Sequence, residues 1–348
     1  MRTKKPAVLL LVLFFASFAI IALLAFLSKN THEKKNGFNR RSLTSTLKPQ
    51  KQVSFPVPVN RMIGSQAGKL YFQGNSPYEV YTTNLNGDSI TRIPLYIPPN
   101  RKLQSGFQMY LNGSDLYVSN RNVPGIIVYN LDSGTSYNHE FNQYYSKDAF
   151  VGKDQFVLRT IDPHATDPIF IKIDVKNRNF REEDHFSEKD GKGNFPTDGI
   201  LYYDASTHLL CYTYFYQNGF ICMDTNLNLR LKARTIDTVT KRQIKVAHVG
   251  SAYTMKEPPR FVNYVGAVSA GKLFLQSMLK ADNELPLDFA ENTVIDAYSV
   301  TNGNYIASFY IPPYKGNKPH QFHVIDKTLY AIYGKSVVLY KLDAIADL

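Results

Sequence analysis

From about residue 52 onward, apolar and aromatic residues alternate with polar ones in short runs. Each run is closed by Gly, Asn, Asp or Pro. Alternation with a period of two gives a strand one apolar and one polar face. One unit recurs: a tight turn, then an apolar strand rich in Tyr. It reads "AGKLYFQGN" (67–75), "NGSDLYVSN" (112–120), "GKDQFVLRT" (152–160), "STHLLCYTYF" (206–215), "AGKLFLQSM" (270–278) and "DKTLYAIYG" (326–334). A second strand follows each, as in "GIIVYNLD" or "SVVLYKLD", and in five units a further one, as in "YIASFYI". Another strand precedes each unit, as in "GFQMYL" or "QFHVI". The unit is therefore four strands, A to D, repeated six times at about 49 residues, close to the roughly 40–50 of four-stranded propeller blades. Radial packing of such sheets buries both faces and leaves only short edges. The pattern predicts an all-β, six-bladed β-propeller over 51–348. The stretch 238–268 holds only a hairpin's worth of pattern for any seventh blade.

The connections sort by length. A–B and C–D turns are short, as in "NGS", "NGD", "SGT" and "TNGN", residues suited to positive φ in tight hairpins. B–C and D–A connections hold nearly all the long loops: 97–106, 121–125, 160–168, 182–198, 238–260, 279–293 and 311–319. Antiparallel strands place these two classes on opposite faces. Loops longer than their connection needs are more often functional, so the long-loop face is the expected binding face.

The sixth unit lacks its D strand, and "KQVSFPVPVNR" (51–61) lacks a neighbour. The sequence predicts that 51–59 is the missing strand, pairing with 336–342. An outermost strand tolerates its prolines because its far edge needs no partner.

Ahead of this lies "PAVLLLVLFFASFAIIALLAFL" (6–27), in which Ser17 alone is polar. Twenty-two such residues are enough for a transmembrane signal-anchor helix, and too many for the short apolar core of a cleaved leader. Residues 1–5 are expected to be cytoplasmic, 28–50 a flexible basic stalk, and the propeller periplasmic or otherwise extracytoplasmic. The charge agrees with this division. The chain carries +11, yet residues 1–51 hold ten of the 40 basic residues and one of the 29 acids. The remainder is +2, which offers no footprint for nucleic acid. Tyr (24) and Phe (22) dominate the aromatics and there is no Trp, as suits pleated, half-buried surfaces.

Candidate chemistry is sparse. Cys211 and Cys222 face each other across a hairpin, either as a disulfide or, the favoured reading, as two small buried thiols. "TIDPHATDP" brings together Asp162, His164 and Asp167, an acid–base or metal cluster or simply an Asp-Pro turn. "KADNELPLDFAEN" supplies Asp282 and Glu284 among four acids, without the spacing of a calcium loop. In "HQFH", His320 and His323 are three apart and so on opposite strand faces, which disfavours joint ligation. Arg121, Arg260 and Lys315 are candidates to line the channel mouth and meet an anionic partner. No GxSxG, HExxH or phosphate-cradling Gly loop is present. No catalytic residue, metal or cofactor is assigned.

The stretches "DGILYYDASTHLLCYTYFYQNGFICMDTNLNL" (198–229) and "NYIASFYIPPYKG" (304–316) resemble membrane-anchored six-bladed propellers of bacterial envelopes, and more loosely NHL-like and lactonase-like propellers. The resemblance implies the fold and a membrane-tethered setting. Lactonase-like members hold calcium over the channel with Glu, Asn and Asp, and those ligands do not map residue by residue onto this sequence. The expected role is a binding or scaffold module for a protein, peptide or envelope ligand. The rival is a metal-assisted hydrolase, lactonase-like or redox-linked enzyme.

Overall fold

The computed structural model describes the chain except residues 1–3, 30–34, 42–46, 85–86, 98–102, 104–105, 122, 161–166, 178, 183–195, 243, 250–251 and 344–348. Two compact units result, residues 1–36 and 37–348.

The first unit contains the helix Lys4–Lys29, where the apolar run predicts one. Its described side chains, from Val8 to Leu24, are exposed. Over the described residues no helix is long and apolar enough to cross a membrane.

The second unit holds six four-stranded antiparallel sheets. The first blade is Val59–Gln66, Lys69–Gly74, Glu79–Asn84 and Ile90–Pro94. The second is Phe107–Asn112, Asp115–Asn120, Val123–Asn130 and Ser136–His139. The third is Tyr145–Gly152, Gln155–Thr160, Phe170–Asp174 and Asn179–Glu182. The fourth is Gly199–Asp204, Leu209–Tyr214, Phe220–Asp224 and Leu229–Ala233. The fifth is Asn263–Ser269, Lys272–Ser277, Thr293–Ser299 and Tyr305–Ile311. The sixth begins with Gln321–Ile325, Thr328–Tyr333 and Ser336–Lys341. The stretch 238–268 contributes one hairpin, Val246–Val249 with Ala252–Met255, rather than a blade. Positive φ at Gly113, Gly134 and Gly303 marks the short turns.

The fourth strand of the sixth blade is Pro49–Ser54, paired as Lys51↔Leu339, Gln52↔Val338 and Val53↔Val337. The N-terminal strand thus sits outermost in the sheet made by the C-terminal ones. Its bounds differ from the expected 51–59. Pro56 and Pro58 have no N–H to donate, Phe55 N donates to Lys335 O (2.7 Å), and Val59, whose N donates to Gly334 O (2.9 Å), already opens the first blade. Gly87, at φ +70°, turns directly above this strand, where a Cβ would collide with Val53.

The core is divided among the blade interfaces. Phe107, Met109 and Leu116 of the second blade pack on Ile63 and Val80 of the first. Phe309 and Ile295 of the fifth pack on Phe322 and Leu329 of the sixth. Val53 and Val337 of the sixth pack on Phe72 and Tyr81 of the first. Each blade interface has its own such cluster. Burial on both faces explains why the second and third strands are almost continuously buried, as in Leu209–Tyr214 and Thr293–Ser299.

Two expectations are corrected. Cys211 and Cys222 are directly opposed on neighbouring strands and joined as a disulfide, rather than free thiols. Antiparallel pairing brings their Cα atoms to 4.3 Å, close enough for the bond. The basic segment 28–50 is not all stalk. Phe38 packs on Val262, Leu279 and Ala281, Arg40 is buried, and Leu47 joins the core between the fifth and sixth blades.

Candidate functional site

The A strands of the six blades surround a cavity of about 810 Å³. Alternation places some of the residues that line it. On Gln321–Ile325, Phe322 and Val324 are buried in the sheet interfaces, while Gln321 and His323 line the cavity. On Phe107–Asn112 the half-buried Gln108 and Tyr110 do the same. Arg61, Lys147, Asp148 and Tyr202 come from the A strands of the first, third and fourth blades. Asn75, Arg121 and Phe215, which follow B strands, and Gly106 and His320, which precede A strands, complete the wall. All five belong to B–C or D–A connections, so the funnel opens on the long-loop face.

Its charge is unbalanced. Arg61, Arg121 and Lys147 line it against one carboxylate, Asp148. The Asp148 side chain is fully buried; its Oδ2 accepts from Ser119 Oγ (2.6 Å) and Tyr110 Oη (3.1 Å). Its Oδ1 faces Arg121 Nε at 3.5 Å, too far for a hydrogen bond, and both atoms are buried without a hydrogen-bond partner. Arg61 donates to Gln108 and lies over the Tyr110 ring at 5.1 Å, leaving its buried Nε unpaired. Lys147 pairs with Asp198 (3.1 Å) and sits over the Phe215 ring. Behind it, the buried Arg159 guanidinium reaches Ser146, Thr197 and Asp198.

Proton affinities follow. Burial, opposed by Asp198, lowers the Lys147 ammonium below its ordinary value. Burial, then the Asp148 charge, raises the Tyr110 phenol. Burial, with Arg61 adding to it, pulls His323 down to about 3, so its ring is neutral at pH 7, and its Nε2 has no hydrogen-bond partner. Native proteins leave few buried polar groups unpaired, and each asks for an explanation.

Of the residues singled out from sequence, Arg121 and His320 are in the funnel wall. His323 is there too, against the expectation that alternation separates it from His320. His320 lies one residue ahead of the strand, where alternation does not apply. Arg260 and Lys315 are exposed and do not line the funnel; the Lys315 ammonium covers Tyr314. Asp167 is half-buried, and its charge opposes the burial that lowers the Arg242 pKa. Asp162 and His164 lie outside the described residues.

Asp282 and Glu284 are used elsewhere, gripping residues 37–41. Asp282 accepts from Gly37 N (3.1 Å), and Glu284 forms a buried ion pair with Arg40. Asp296 takes Arg40 from the other side, Nε to Oδ1 at 2.7 Å and Nη2 to Oδ2 at 3.1 Å. Leu279 O accepts from Nη2 as well (3.0 Å), and Tyr310 Oη caps the second Glu284 oxygen (2.6 Å). Burial works against the Arg40 charge, but Asp296 and Glu284 outweigh it and raise its pKa.

Sequence reasoning missed Arg61, Tyr110, Lys147 and Asp148. The available signal was a polar residue at an inward A-strand position, in "NRMIGS", "GFQMYL" and "SKDAFVG".

No family model matches the chain, and no curated protein does. Solved structures do. A member of the DUF4221 family from Bacteroides vulgatus superposes with a TM-score of 0.56 at 15% identity, over 88% of this chain and 98% of that one. A candidate exported protein of Bacteroides fragilis gives 0.52 at 9% identity, over 88% and 97%. The shared fold is the six-bladed β-propeller. At such identities the likeness is one of fold alone.

Proposed function

We propose that the chain is a membrane-tethered, extracytoplasmic binding module that takes its ligand, or an inserted part of a partner, in the funnel on its long-loop face. The carrying observation is the funnel itself. Its volume falls within the range of small-ligand sites, and convergent polar groups from all six blades line it. Its unpaired buried atoms favour a bound guest. The Cys211–Cys222 disulfide suits an oxidising compartment outside the cytoplasm. The tether rests on the apolar run 6–27 of the sequence, in which Ser17 alone is polar. A hydrolase or lactonase-like site asks for several converging carboxylates. Among the described residues the funnel wall offers Asp148, and no group of three metal-ligating side chains comes together. Photo-crosslinkers placed at Tyr264 and Lys315 on the long-loop face, and at Ser133 and Asn302 in C–D turns, test the reading in intact membranes. Adducts are expected from the first pair. Adducts confined to the second pair, or none from either, would overturn it.

A further inference from the structure

The funnel's own chemistry narrows what it holds. Resting on the reading that the funnel is the binding site, we infer that its ligand is a small anion carrying a carboxylate or phosphate on a hydroxylated ring. Three observations lead there. First, three cations line the wall against one carboxylate, and the Lys147–Asp198 and Arg159–Asp198 contacts behind it leave the excess at two positive charges. That excess sits on a concave wall, with the Lys147 side chain 14% and the Arg121 side chain 35% exposed, so a guest anion inside gains from attraction with reduced screening.

Second, the funnel guanidiniums are not saturated: Arg61 donates to Gln108 and Arg121 stands 3.5 Å from Asp148, and each keeps bonding capacity. Arg40 shows what a structural guanidinium looks like in this protein: bidentate on Asp296, paired with Glu284 and bonded to a carbonyl. Arg61 and Arg121 each have a buried Nε without a hydrogen-bond partner. The planar fork of Arg matches carboxylate and phosphate oxygens, and such charge-assisted bonds are about twice as strong as neutral ones.

Third, the wall also needs a donor. Asp148 Oδ1 stands 3.5 Å from Arg121 Nε and has no hydrogen-bond partner, so the guest presents a hydroxyl or N–H as well as its anion. The rings of Tyr110, Phe215 and Tyr264 border the same space and suit the flat apolar face of a sugar-like ring. Arg61 and Arg121 hold the anionic group, Asp148 takes the hydroxyl, and the aromatic rings pack the body.

Calorimetry on the full-length protein in detergent tests this with three probes: glucuronate, glucose 6-phosphate and glucose. At least one anion is expected to bind at least about tenfold tighter than glucose. Whichever does so reports whether carboxylate or phosphate is preferred. Arg61→Gln with Arg121→Gln is expected to remove that advantage. If the double variant unfolds, Arg121→Gln alone, altering a residue on a connection rather than in a sheet, is expected to weaken the anion several-fold. Equal binding of all three, binding of none, or retention of the advantage in the variants overturns the inference. Adducts at Tyr264 and Lys315 would then still support the funnel face as the binding surface, now for a different class of ligand. Their absence would remove that reading separately.

Discussion

Two places in this protein set arginines beside buried carboxylates, and they are built to opposite specifications. Around Arg40, each nitrogen of the guanidinium has an acceptor, and the segment it belongs to is held at several further points. In the funnel, Arg121 and Asp148 stop 3.5 Å apart and each keeps a buried atom unpaired. The first arrangement rewards rigidity. A buried pair with all its bonds made loses several kcal/mol when one partner goes, because the other is left as a bare buried charge. The second lacks those bonds and leaves hydrogen-bonding capacity unused, as a site of the proposed kind requires. Saturated polar clusters tie the propeller together, and the unsaturated ones line the funnel in which we propose a ligand binds.

Breaking the frame itself should have the largest effect. Replacing Pro49–Ser54 by a Gly-Ser stretch of equal length removes the outermost strand of the sixth blade and uncovers Val337 and the edge of Ser336–Lys341. The melting temperature is expected to fall by about 10 °C or more, on a scale of roughly 2–4 °C per kcal/mol for domains of this order. An unchanged melt would mean that joining the chain ends contributes nothing to the ring.

Next comes the saturated cluster. Arg40→Ala strands Asp296 and Glu284, whose side chains are 4% and 5% exposed, and should cost about 3–5 kcal/mol in denaturant unfolding. Asp296→Asn should recover part of that loss in the double variant, by removing one of the stranded charges.

Acid probes the funnel. His323 holds its proton with a pKa of about 3 in the folded protein, against about 6.5 when unfolded. Between those values the unfolded state binds more protons, so stability falls as pH drops from about 6.5 towards 3. The slope from this group is at most about 1.4 kcal/mol per pH unit. His323→Gln should flatten that part of the pH–stability profile. A slope unchanged by the substitution would show that other groups carry it.

Most of the frame was legible because alternation is local. A strand such as Thr328–Tyr333 declares itself within six residues, and tight turns such as Asn112-Gly113 mark its ends. The closing strand was legible by subtraction, since five units had a fourth strand and the sixth did not. The strap 37–41 was not. It has no period, and Arg40 finds Asp296 256 residues away, a distance that no local pattern encodes. The funnel residues were hidden for another reason. Gln108, Tyr110 and Asp148 read as ordinary polar positions of half-exposed strands, and their meaning emerges only when six such strands face one another. The long loops pointed to the end of the channel on which the cavity opens, and to Arg121 in its wall. They also drew attention to Asp282 and Glu284, whose charges are spent on the strap.

The contrast between saturated and unsaturated arginines is tested most directly by one pair of unfolding curves. Arg40→Ala and Arg121→Ala, made separately in the full-length protein, should differ widely. The first should lose about 3–5 kcal/mol. The second should lose clearly less, about 1–3 kcal/mol, because Asp148 keeps its bonds from Ser119 Oγ and Tyr110 Oη when Arg121 is gone, while abolishing the preference for an anionic probe. Equal losses from the two substitutions would contradict the account, because Arg121 would then be a structural residue like Arg40 and the funnel would have nothing in reserve for a ligand.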